Sequence, residues 1–222
     1  MPLINEYIKE HLKEIFEKEL KDEVRLIVFT QEVKCGFCEE VMEIVQELAS
    51  LSKKIKVEAY DFLIDDGKVK EYGIDKIPAI AIIGRKDYGI RFYGLPSGYE
   101  FSAFVDDLVD ISKGNSRLSD KAKIIIKSIE KPLQIQVFVT PTCPFCPRAV
   151  RIAHQMAIEN DFIKADSIEI VEFPHLAQKY IVTSVPKIVV NDSFEFTGVL
   201  SEEQFLEKIL LASRTSQSPI YH

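Results

Sequence analysis

The sequence predicts an open α/β fold built from two tandem units, each a mixed four-stranded sheet flanked by helices. Three observations lead there. The chain repeats itself: an offset of 108 residues (35 to 143) carries Cys35 onto Cys143, Cys38 onto Cys146, Tyr72 onto Tyr180 and Pro78 onto Pro186. In each half a run of β-branched and aromatic residues enters a Cys-x-x-Cys, and a helical period leaves it. Past each proline, two short apolar runs joined by turn residues signal a hairpin. The polar junction Lys113-Gly114-Asn115-Ser116 divides the chain into units 1–115 and 116–222.

The elements follow in order. Each unit opens on an amphipathic helix, 7–20 and 120–130. The segments 24–30 (VRLIVFT) and 133–140 (LQIQVFVT) have strand composition and run into the cysteines. Val41, Ile44, Val45 and Leu48, and then Val150, Ala153, Ala157 and Ile158, recur at helical spacing, so each Cys-x-x-Cys opens a helix. Second strands are expected at 55–60 and 168–171, and short helices at 69–72 and 175–180. Strands 79–83 and 187–190 then pair with 90–93 and 194–196 as hairpins, and helices near 100–111 and 202–211 close the units. Phe92-Tyr93-Gly94 matches Phe196-Thr197-Gly198 at an offset of 104 (94 to 198), so the second hairpin is four residues shorter. Right-handed crossover makes the first two strands of each unit parallel, and the short hairpin makes the last two antiparallel. The segment 214–222 is expected to fray.

Composition narrows the function. With 28 basic and 35 acidic residues the formal charge is −7, and no basic patch offers itself to nucleic acid. No window reaches the ~18 apolar residues of a membrane span, and the first residues lack a signal-peptide pattern, so a soluble cytoplasmic protein is expected. All four cysteines lie in the two motifs, Cys35-Gly36-Phe37-Cys38 and Cys143-Pro144-Phe145-Cys146, which suggests chemistry or metal rather than structural stapling. Abundant Ile, Lys and Glu lean towards a thermophile.

A thiol attacks as its thiolate, and the start of a helix favours that anion. Cys35 and Cys143 are therefore expected to be the exposed attackers, beside Lys34 and Arg148, with Cys38 and Cys146 resolving the mixed disulfide. Pro144 removes a backbone N–H that Gly36 retains, so the two sites should differ in reduction potential. Phe37 and Phe145, between the cysteines, are assigned to substrate contact. Asp61 and Glu172, read as ending the second strands, are alternative proton acceptors. Tyr72 and Tyr180 are assigned to packing; His11, His154, His175 and His222 to surface or packing; and the acidic runs 14–23 and 106–110 to solvated helix faces. The competing reading places all four cysteines on one structural zinc. It is disfavoured because a whole α/β unit separates the pairs. No metal, flavin or nucleotide motif is found, so no cofactor is expected.

Strand, Cys-x-x-Cys and helix, followed about forty residues later by Ile74-Asp75-Lys76-Ile77-Pro78 and Val182-Thr183-Ser184-Val185-Pro186, resemble the thioredoxin superfamily. The tandem form resembles the protein disulfide oxidoreductases of hyperthermophiles, also called glutaredoxin-like proteins. The resemblance implies that Pro78 and Pro186 are cis and face the disulfides, with Ile77 and Val185 presenting backbone to an extended substrate. It implies formation, reduction and isomerisation of protein disulfides, with protein disulfides or dithiols as substrates. The implied electron donor is a thioredoxin reductase-like flavoprotein, with glutathione second. An electron-carrier module for a peroxiredoxin is the alternative. The chain departs from thioredoxins in having no Trp and in lacking their buried acid, since Phe29 and Val137 stand in that region.

Overall fold

A computed structural model describes residues 3–215. The first half runs α1 (Glu6–Glu19), β1 (Val24–Thr30), α2 (Cys38–Leu51), β2 (Ile55–Asp61), α3 (Asp66–Tyr72), β3 (Ala79–Ile83), β4 (Asp87–Tyr93) and α4 (Glu100–Lys113). The second repeats the order as α5 (Asp120–Lys127), β5 (Leu133–Val139), α6 (Cys146–Glu159), β6 (Ile163–Glu169), α7 (Pro174–Lys179), β7 (Lys187–Val190), β8 (Phe194–Thr197) and α8 (Glu202–Thr215). The part of the expected frayed tail beyond residue 215 lies outside the described residues, as does His222.

The halves join into one eight-stranded sheet, β2-β1-β3-β4-β6-β5-β7-β8. β1 and β2 are parallel, as are β5 and β6, while β3–β4 and β7–β8 are antiparallel hairpins. The seam is the parallel pair β4–β6, where Ile90 to Tyr93 face Ala165 to Ile168. Sequence periodicity places the second strand of the second unit too late, at 168–171; it runs Ile163–Glu169. The segment IKADSIE hides its strand character because Lys164, Asp166 and Ser167 interrupt the apolar run. Asp166 and Ser167 are nevertheless buried, by the seam itself.

Alternation along the strands sorts the core into two layers. One face carries Leu26, Val28, Ile80, Ile82, Ile90, Phe92, Ile135 and Val137 under α1, α2, α4, α5, α6 and α8. The opposite face carries Ile27, Phe29, Ala81, Tyr93, Phe138 and Val189 under only α3, α7 and the segments beside them. Helix starts are fixed locally. The Asn5 side chain accepts from Ile8 N–H at 2.9 Å and that of Ser119 from Ala122 N–H at 3.2 Å, caps worth about 1 kcal/mol each.

The acidic segment 106–110 is not a solvated face. Asp107 and Asp110 are buried where α4 packs on α6, and both bond Arg151. His154, wholly buried, shares Asp107 through Nδ1 at 2.6 Å. Arg151 supplies the charge that makes this burial tolerable, and nothing in the local sequence of α4 announces a partner some forty residues away. His11 and His175 are exposed, and Tyr72 and Tyr180 pack against Phe29 and Phe138, as the sequence suggests.

Candidate active sites at one edge of the sheet

Strand directions fix where the cysteines lie. β1 is antiparallel to β3, β3 to β4; β4 is parallel to β6 and β6 to β5. β1 and β5 therefore point the same way, and both Cys-x-x-Cys turns open at the same edge of the sheet. Four strand spacings separate them, roughly 19 Å at ~4.8 Å each. That distance keeps the four sulfurs from meeting around one metal ion, because Zn–S bonds span only about 2.3 Å.

Each pair forms a disulfide, Cys35–Cys38 and Cys143–Cys146, with Cα–Cα 5.5 Å in both. The helices begin at the second cysteine, not the first, so Cys35 and Cys143 sit in the turn before the helix. The N–H of Cys146 reaches the Cys143 sulfur at 3.1 Å, a contact that favours negative charge on that sulfur once the pair is reduced. Cys35 is half-buried and Cys38 only 6% exposed, the order expected of attacker and resolver. Cys143 departs from expectation. It is the more accessible of its pair but only 8% exposed, against 0% for Cys146.

Two features explain the closure. Ring packing makes Phe138 the counterpart of Phe29, since each meets the matching tyrosine. The register agrees, pairing Phe29 with Ala79 and Phe138 with Lys187. Val137 is therefore not the equivalent of Phe29, and the loop from strand to first cysteine is one residue shorter in the second half. That loop is also strapped by the first half: Tyr99 N–H donates to Pro141 O at 3.0 Å. Gly98, at φ +58°, lies so close that a Cβ would stand 2.2 Å from the same oxygen. Only glycine meets both demands.

The sequence-derived prolines lie beside these turns. Ile77–Pro78 and Val185–Pro186 are cis, at the starts of β3 and β7. Pairing of Ala79 with Phe29 and Lys187 with Phe138 sets both prolines against the strand ends that lead into the cysteines. Pro78 O and Pro186 O accept from Gly94 and Gly198 N–H at 3.0 and 2.9 Å, fixing the equivalence that the offset of 104 suggests. Both prolines are buried, while Ile77 and Val185 are half-buried. Phe37 (40% exposed) and Phe145 (60% exposed) stand out into solvent between the cysteines. Lys34 and Arg148 are exposed as well.

Among the acids, Asp61 lines a pocket of about 370 Å³ together with Cys35, Cys38 and Met42. It accepts the amides of Leu63 and Ile64 at 2.8 and 3.1 Å. Its counterpart is Glu169, not Glu172: Glu169 ends β6 and accepts the amides of Val171 and Glu172 at 3.1 and 2.8 Å. Glu172 lies three residues beyond the strand and holds Leu95 N–H at 2.7 Å across the seam. Burial pushes its carboxyl up to about 7, and the charges of Glu169 and Glu40 add to the effect.

Glu100, which sequence reasoning passed over, opens α4. It is 2% exposed and accepts from Ser167 Oγ at 3.4 Å. Burial raises it to about 8, with Asp107 and Glu169 adding to the rise. Its sequence signal was slight, a lone acid at a helix start, where acids are ordinarily solvated. Only the seam buries it.

The thioredoxin-domain family matches residues 133–211. The crystal structure of a protein disulfide oxidoreductase from Aeropyrum pernix superposes with a TM-score of 0.89 at 30% identity, covering 95% of this chain and 94% of that one. A thioredoxin of Methanocaldococcus jannaschii is 36% identical over 78 residues, 35% of this chain and 92% of that protein. The F subunit of alkyl hydroperoxide reductase in Pseudomonas aeruginosa is 25% identical over 170 residues, or 77% of this chain. The chain spans about a third of the length of that and similar curated relatives (31%), among them an NADH dehydrogenase of Bacillus subtilis. Two disulfides at strand-to-helix turns, two cis prolines beside them and a likeness along nearly the whole chain lead to one conclusion: the chain belongs to the thioredoxin superfamily, among its two-motif, protein disulfide oxidoreductase-like members.

Proposed function

We propose that this chain is a protein thiol–disulfide oxidoreductase working at two sites, in units 1–115 and 116–222. The observation that carries this reading is the duplicated geometry: each disulfide sits at a strand-to-helix turn with a cis proline at the start of the adjacent strand. In the reducing direction, the thiolate of Cys35 or Cys143 attacks one sulfur of a substrate disulfide, and the other sulfur leaves as a thiolate and takes a proton. Cys38 or Cys146 then attacks the enzyme's sulfur in the mixed disulfide. The second substrate thiolate is released, two electrons have passed to the substrate, and the enzyme is left oxidised. Reversal forms a substrate disulfide.

Backbone at Ile77–Pro78 and Val185–Pro186 seats the extended substrate, and Phe37 and Phe145 add apolar contact. No helix among the described residues is long and apolar enough to cross a membrane; a cytoplasmic location is part of this proposal. Electrons come from a thioredoxin reductase-like flavoprotein in preference to glutathione. Insulin reduction with dithiothreitol tests the reading: Cys35→Ser and Cys143→Ser should each retain part of the activity and the double variant none. Full activity in the double variant would end it.

Likeness to the F subunit of alkyl hydroperoxide reductase favours a second reading, in which the chain carries electrons to a peroxide-reducing protein. Addition of a two-cysteine peroxide reductase separates the two. Turnover dependent on it, with no insulin reduction, favours the carrier.

A further inference from the structure

The two faces of the sheet are covered unequally, and the difference leaves a polar cleft. Six helices lie on one face; on the other, α3 and α7 stand apart and the seam strands run between them. The cleft there has a volume of about 320 Å³, within the range of small-molecule sites, and is distinct from the cysteine turns. Its floor is Gln134, Gln136 and Asp166, and Lys76, Lys164 and Lys179 contribute to its walls.

The duplication shows what is unusual about this floor. In the first half, Arg25 pairs with Lys56 across the ladder and Ile27 with Glu58; in the second, Gln134 pairs with Lys164 and Gln136 with Asp166. The acid persists, as Glu58 and Asp166. Its partner does not. Arg25 donates to Glu58 at 3.0 Å, whereas its counterpart Gln134 gives Asp166 only a neutral amide. Ile27 has become Gln136, which is 8% exposed and whose Oε1 has no hydrogen-bond partner among the described residues.

The nearest cations, Lys76 and Arg91, the latter opposite Asp166 in the seam ladder, favour its carboxylate through space but give their hydrogen bonds elsewhere. Arg91 gives its donors to Tyr72 O, Ile90 O and Asp87, and Lys76 pairs with Asp75 while lying 3.7 Å from the Tyr93 ring centroid. A buried carboxylate and a buried glutamine with an unpartnered amide oxygen therefore line the cleft where the first half holds a guanidinium. Further out, Lys164 is exposed, and Lys179 bonds the Tyr180 hydroxyl at 2.6 Å. Acceptors on the floor, with the exposed Lys164 and Lys179 further out, suit a ligand that carries both charges.

We propose that this cleft binds a small zwitterion, an amino acid with a guanidinium or ammonium end, its cation on Asp166 and Gln136 and its carboxylate towards Lys164. The ligand's cation would take the place that Arg25 holds on Glu58. This site goes beyond the disulfide chemistry, and its test does not depend on that activity.

Isothermal titration of the oxidised protein with free arginine, with agmatine (the same cation without a carboxylate) and with glutarate tests the proposal, alongside backbone amide shift mapping of the wild type. Arginine should bind with Kd below about 1 mM and the other two at least about tenfold more weakly. Shifts should centre on residues 134–136, 164–166 and 73–76. Asp166→Asn should cut arginine affinity at least about tenfold. Lys164→Ala, at an exposed position, should weaken arginine and leave agmatine unchanged. No arginine binding at ~10 mM, equal binding of arginine and agmatine, or shifts away from the cleft would each overturn the proposal. The shift map stands on the wild type alone, so a poorly folded Asp166 variant does not shelter it.

Discussion

Glu100→Gln should stabilise the protein by an amount that grows with pH. In the folded chain the Glu100 carboxyl keeps its proton to about pH 8, against an ordinary value of 4.5, because the seam strips it of water. An unfolded chain loses that proton near 4.5. Between these values the folded state binds more protons than the unfolded state, so stability falls as pH rises, and it is flat below and above. At 1.36 kcal/mol per pH unit the penalty reaches about 3 kcal/mol by pH 7 and about 5 kcal/mol above pH 8. Glutamine removes the ionisation while its amide oxygen still accepts from Ser167 Oγ. Urea unfolding of wild type and variant, with both disulfides kept oxidised, should show nearly equal stability at pH 4.5 and a gap of several kcal/mol at pH 9. A difference that does not change with pH, or one that turns against the glutamine as pH rises, would refute the reasoning.

Other consequences can be checked alongside. Gly98→Ala drives a Cβ into Pro141 O at a left-handed backbone position; it should cost at least about 2 kcal/mol and speed alkylation of reduced Cys143 several-fold, with Cys35 unchanged. Phe104→Ala empties a fully buried position whose ring meets Phe92 edge-on at 5.0 Å, and chemical denaturation should report a loss of about 3–5 kcal/mol. Arg151→Met strands Asp107 and Asp110 in the α4–α6 interface. A comparable loss of about 3–5 kcal/mol is expected, and an unchanged midpoint would show that those acids are not held by Arg151.

Much of the fold was legible because the repeat compares the chain with itself. Cys35, Pro78 and Gly94 each find a counterpart, and that is enough to place strand, turn, helix and hairpin twice. What escaped was whatever the seam creates. β6 looked polar and began five residues earlier than expected, at Ile163 rather than 168, because β4 covers one of its edges and helices cover one face. Asp107 and Asp110 looked like surface acids and Glu100 drew no reading at all, since burial of a charge by a distant segment leaves no local mark in sequence. The cysteines were evident from spacing. The closure of Cys143 was not, because it depends on a strap from Gly98 and Tyr99 whose partner, Pro141, lies more than forty residues on. The one-residue difference between the two cysteine loops became visible only when ring packing and strand register aligned Phe29 with Phe138.

The central claim is that both cysteine pairs exchange with substrate, each through its first cysteine. Trapping tests it most directly: Cys38→Ser and Cys146→Ser, each with the other pair changed to serine, are reduced, mixed with a disulfide-bonded protein substrate, quenched in acid and read by intact mass. Each variant should accumulate a covalent one-to-one adduct, mapped to Cys35 in the first and to Cys143 in the second. Absence of an adduct from either variant, with the thiols reduced and the fold intact, would contradict a two-site exchange enzyme.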